Sequence, residues 1–121
     1  MANELTIYRG ETKTWTFTVT NNAVVMDITL ATIKFAARKQ WPTATTVADT
    51  DANIAKSTSS GIVITDGANG EFELTLLHAD TNALAIGDYF YGVEMIPAGE
   101  TEPLVVVQST LTIEADIVRA I

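Results

Sequence analysis

The chain has 121 residues, 47% of them apolar and 18% charged, which excludes a disordered chain and predicts one domain, residues 1–121, burying about two-thirds of its surface. It contains no cysteine, which excludes disulfides, thiolate zinc sites and cysteine nucleophiles and suits manufacture in a reducing cytoplasm. The net charge is −8, and the 7 basic residues are scattered, so the basic stripe that nucleic-acid binding needs is missing.

From the amino terminus, Met-Ala-Asn-Glu-Leu lacks the basic start and apolar run of a signal peptide. No apolar stretch approaches the ~20 residues of a membrane-spanning helix. Leu5 and Ile7 alternate with polar residues as an opening strand. Lys13 to Thr20 reads KTWTFTVT. Trp15, Phe17 and Val19 fall on one face and Thr14, Thr16, Thr18 and Thr20 on the other, which is what a half-buried strand requires. Trp15 is therefore expected in the core. Asn21-Asn22 reads as a turn, and Ile33, Phe35 and Ala37 alternate in the next strand.

The segment from Lys39 to Ala52, KQWPTATTVADTDA, is polar and contains a proline, so it reads as a long loop. Trp41, beside Pro42, is the candidate interaction residue there, with Lys39 at the loop's start. A tryptophan in a polar loop serves as an interface anchor, as a sugar-stacking platform, or as a cap on the end of the fold. Asp49, Asp51 and Asn53 have the alternate spacing that opens a calcium loop but lack the following glycine and the distal glutamate, so a cation there stays open.

Further on, Ile62 and Ile64, then Phe72, Leu74 and Leu76, alternate on either side of the turn Asp66-Gly67-Ala68-Asn69-Gly70. Residues 78–84, HADTNAL, fit a short helical turn crossing between sheets. His78 is the sole histidine; no activated-serine motif accompanies it, and Asp80 reads as support for the start of the turn. Tyr89, Tyr91, Val93 and Met95 alternate in a long strand. Tyr89 stands where a tyrosine corner bonds back to upstream backbone. Pro97 to Glu100 reads as the turn of a terminal hairpin. In the last strand, Glu102 to Glu114, the polar triplet Gln108-Ser109-Thr110 is the expected bulge or change of pairing. The residues after it end in the apolar tail Asp116 to Ile121. Eight to nine short strands without helical patterns between them predict an all-β, antiparallel β-sandwich. No catalytic, cofactor or metal site is legible: phosphate-binding glycine loops are absent, and nothing favours a carboxylate pair for glycoside hydrolysis.

Four segments in order resemble a known family. They are LTIYRGETKTWTFTV at the start, MDITLATIKFAARK at Met26 to Lys39, GIVITDGANGEFELTL at Gly61 to Leu76, and DTNALAIGDYFYGVEM at Asp80 to Met95. Together they resemble the amino-terminal, immunoglobulin-like domain of phage baseplate upper proteins. The resemblance covers about residues 4 to 114 and implies an immunoglobulin-like sandwich that anchors or joins virion components without enzyme activity. In baseplate members a long linker and a receptor-binding or fibre part follow. This chain carries only the first part, which turns the expectation from receptor binding toward a small joining or decorating protein. The partners so implied are other virion proteins and copies of the chain itself, as a trimer or higher ring, with no nucleic acid and no membrane. The place of work is the virion, assembled in the host bacterial cytoplasm. Alternatives are a capsid decoration protein and a carbohydrate-binding adhesion module on the virion surface.

Overall fold

A computed structural model describes residues 4–21, 23–39, 53–58 and 60–115. The alternating segments become strands because period-two patterning lets an extended chain bury one face while its threonines stay wet. In chain order these are β1 (Leu5–Tyr8), β2 (Lys13–Thr18), β3 (Thr20–Asn21), β4 (Val24–Val25), β5 (Thr32–Arg38) and β6 (Ile54–Ser57). They continue as β7 (Ile62–Asp66), β8 (Glu71–Leu76), β9 (Gly87–Ile96) and β10 (Leu104–Glu114). A 3-10 turn at Gly67–Asn69 joins β7 to β8, and the one-turn helix α1 (His78–Thr81) joins β8 to β9.

The strands form a five-stranded sheet, β1-β10-β9-β5-β6, a three-stranded sheet, β2-β8-β7, and a two-residue ribbon of β3 with β4. The division of β2, β7 and β8 from β5, β6, β9 and β10 is that of an immunoglobulin-like sandwich. Among the described residues, the named strands pair antiparallel except that β1 runs parallel to β10, from Leu5 opposite Leu111 to Tyr8 opposite Glu114. The core lies between the two sheets. Phe35, Tyr91, Val93, Met95 and Leu111 meet Ile62, Phe72, Leu74 and Leu76 there, all buried.

Several local expectations hold in detail. The Tyr89 hydroxyl donates to the Ala85 carbonyl at 2.8 Å, closing the tyrosine corner. Pro97 to Glu100 is a turn, with the Glu100 N–H bonded to the Pro97 carbonyl at 3.1 Å. Residues 78–84 contain α1 and one further bond, from the Leu84 N–H to the Thr81 carbonyl.

Two expectations are corrected. Gln108, Ser109 and Thr110 pair in step with Gly92, Tyr91 and Phe90, and the bulge lies earlier, between Val105 and Val107. The extra residue is Val106. The apolar run Leu104 to Val107 concealed it, because four like residues in a row carry no alternation to interrupt. Trp15 and Phe17 face inward as expected, but both are only half-buried. Their strand, β2, is an outer strand of the three-stranded sheet, and among the described residues it pairs with a strand on one side only, with β8.

Candidate functional site

Trp41 and Pro42 lie outside the described residues, as do Asp49 and Asp51. The two ends of their connection are described. The Lys39 N–H donates to Asn53 Oδ1 at 2.8 Å, and the Asn53 N–H donates to the Ala37 carbonyl at 2.9 Å. These bonds hold the end of β5 against the start of β6. The Lys39 ammonium sits 4.8 Å from the centroid of the Tyr89 ring, a cation–π contact. It also lies over Gly87, where a Cβ would come within 2.6 Å of Nζ. Lys39 therefore packs on the tyrosine corner.

His78 and Asp80 do not pair with each other. His78 Nδ1 lies 2.7 Å from the Gly10 carbonyl. A carbonyl only accepts, so Nδ1 carries the proton. The His78 N–H donates to Thr12 Oγ1 at 3.2 Å, and the Gly10 N–H donates to Oγ1 of the fully buried Thr81 at 2.7 Å. Gly10 permits this clasp: its φ is +84°, and a Cβ would stand 3.3 Å from the histidine ring. Asp80 instead accepts the Leu77 N–H at 2.7 Å and an ion pair from Lys56 Nζ at 2.7 Å. Lys56 belongs to the outer strand β6 of the other sheet and shares an inward face with Phe35, its register partner. The sole histidine, a buried threonine and an inward lysine thus tie α1 to both sheets.

Burial governs the titratable groups at the core. It pushes the Tyr91 phenol up to about 12, and raises Tyr89 against the opposing effect of its bond to Ala85. On the surface, Asp27 is held below the usual carboxylate range by the Thr29 hydroxyl and then by the Thr29 N–H. Among the described residues, no group of three His, Asp or Glu side chains is placed to hold a metal ion. Also among them, no helix is long and apolar enough to cross a membrane.

On the opposite flank the sandwich is open. A groove of about 560 Å³ runs between β2 and the β1–β10 side, lined by Glu4, Leu5, Trp15, Phe17, Val106 and Val107 along with threonines 16, 18 and 20. The bulge at Val106 turns both Val106 and Val107 toward the core, where they pack beside the half-buried aromatics. Lys13 closes one end: its Nζ donates to the Thr6 carbonyl at 3.0 Å and lies 5.7 Å from the Trp15 ring centroid. Compared with models of known protein families the chain matches none, and compared with curated proteins it also matches none.

The residues that shape this groove escaped sequence reasoning. The alternation of KTWTFTVT marked Trp15 and Phe17 as inward but could not say that β2 would be an outer strand. Glu4 and Val106 carried no signal of their own.

Proposed function

We propose that this protein is a non-enzymatic structural component of a bacteriophage particle, in the tail, baseplate or fibre attachment, acting by protein–protein contact. The observation that carries the reading is the order of the four family-like segments. They build, in that order, the strands and crossing turn of one immunoglobulin-like sandwich. The side chains that could have been chemical support it too: His78, Asp80 and Lys56 are engaged in holding α1 to the sheets. A sandwich with one flank tied and one flank open is suited to work by surface complementarity. The protein then works in the virion after assembly in the host cytoplasm.

Composition of particles purified from a producing bacterial strain tests this. The chain is expected at fixed stoichiometry in the particle fraction, and separated tails and heads distinguish a tail component from a capsid decoration protein. Finding it only in the soluble lysate, with particles complete without it, overturns the proposal. Glycan binding lost in Trp41→Ala would favour the adhesion alternative instead.

A further inference from the structure

Among the described residues, the outer strands of the two larger sheets, β1, β6, β2 and β7, are protected to different degrees. On β1, which has four residues, the Thr6 carbonyl accepts a bond from Lys13. The four-residue β6 carries the inward Lys56, and β7 is interrupted by a bulge between Ile64 and Asp66. Short strands, inward charges and bulges are the devices that discourage strand addition. In contrast, β2 runs six residues in unbroken register with β8; its one charge, Lys13, stands at its first residue, and Thr14 to Thr18 contain no proline and no charge.

The direction of the β2 backbone groups follows from its neighbours. The Thr75 N–H bonds to the Gly61 carbonyl at 2.9 Å, so Thr75 turns its backbone toward the β7 side, and Glu73 and Glu71 follow by alternation. Leu76, Leu74 and Phe72 then face β2, where their register partners are Lys13, Trp15 and Phe17. The N–H and C=O groups of Thr14, Thr16 and Thr18 therefore point away from β8. Among the described residues no turn or loop backbone bond reaches them.

We propose that a second copy of this chain occupies this edge, with β2 pairing antiparallel to β2 of the partner subunit about a two-fold axis. The inference rests on reading the chain as an assembly protein. With Thr16 opposite Thr16 on the axis and Thr14 opposite Thr18, every outward backbone group finds a partner, because each such pair exchanges both of its bonds. On the groove side this register sets Trp15 against Phe17 of the partner subunit, twice, and covers the half-buried aromatics. Charge decides in favour of a second copy. A chain of net charge −8 repels itself unless the contact is locally complementary. Lys13 opens β2 with its ammonium over Trp15, and Glu4 lines the groove beside that strand, so antiparallel pairing about Thr16 carries Lys13 of each copy past Phe17 onto the Glu4-lined flank of the other. The contact is isologous and closes at two copies, so a trimer or higher ring would use a different surface.

Light scattering and sedimentation equilibrium on the full chain, from low to high micromolar concentration, test this. The expected result is a monomer–dimer equilibrium whose Kd rises by about tenfold or more in Thr16→Pro. An edge strand tolerates proline where the lost N–H faces outward. If that variant does not fold, Thr16→Lys serves: Glu73 is its register partner within the chain, and two ammonium groups meet at the axis. Lys13→Glu and Glu4→Lys should each weaken the dimer, and the double variant should restore it. A monomer at every concentration overturns the proposal, as does a dimer indifferent to both Thr16 variants or a double variant without rescue. A monomer whose β2 edge becomes protected only on adding purified particle proteins overturns it in favour of a foreign strand. The outcomes separate from those of the particle experiment. A monomer present in particles removes this inference alone, and a dimer absent from particles removes only the virion reading.

Discussion

Around α1, each segment that passes between the sheets is tied down. Gly10 bonds to Thr81 and His78, Asp80 takes both Leu77 and Lys56, and Tyr89 reaches back to Ala85 while Lys39 lies over its ring. Around β2, the same sandwich leaves two aromatics half-buried, a row of threonines at an edge and a bulge in β10 beside the groove. Both flanks come from one chain with one core, so the difference is local chemistry. Where strands must stay apart from neighbours, the sequence supplies charge, a bulge or a short strand. At β2 it supplies threonines, whose branched side chains favour the extended form and whose backbone remains available.

The largest expected effect compares two rings that touch. Phe17 and Phe72 stack with centroids 5.1 Å apart, yet Phe72 is fully buried and Phe17 is not. Phe72→Ala should cost about 3–5 kcal/mol. Phe17→Ala should cost less, about 1–2 kcal/mol, because much of its area is already wet. Urea unfolding of the two variants checks this, and equal losses would mean that the β2 flank is closed after all.

A smaller effect concerns the tied flank. Asp80→Ala strands Lys56, whose side chain is only 10% exposed, and removes the acceptor of the Leu77 N–H. The expected loss is about 2–3 kcal/mol. Lys56→Met removes the pair while keeping volume, so it should change stability by less than about 1 kcal/mol. It should also raise aggregation on heating, because an inward charge on an outer strand has gone. Thermal unfolding with turbidity separates the two effects.

The smallest effect is a pH dependence. Tyr91 is neutral when folded up to about 12, whereas an unfolded tyrosine ionises near an ordinary value of about 10. Above that lower value the unfolded state loses the proton first, so the stability held by Tyr91 is fully present below it and is lost as pH rises through about 12. Absorbance of the phenolate against pH, with Tyr91→Phe for comparison, reads this directly.

Much of the sandwich was legible because long alternating strands declare themselves. β2, β5, β8 and β9 lie where their patterns put them, and the Tyr89 corner follows from its place before a strand. What was hidden had no pattern to show. β6 has four residues and turns a lysine inward, and β10 begins in an unbroken apolar run. The partners of His78, Gly10 and Thr12, lie 68 and 66 residues earlier in the chain. The open flank was the least legible feature. Whether a strand is central or outer depends on which strands join it, and alternation within a single strand is the same in both cases. Trp41 and Pro42, singled out from composition, lie outside the described residues, so the loop carrying them and the β2 edge stand as separate candidate contacts.

Residue-resolved amide exchange along β2, followed from dilute to concentrated protein, tests most directly whether this flank is open and held for a second copy. In dilute solution the amides of Thr14, Thr16 and Thr18 should exchange fast while those of Trp15 and Phe17 stay protected. The three threonine amides should then become protected together as the protein is concentrated. Threonine amides protected at every dilution, or unprotected at the highest concentration, would contradict the account.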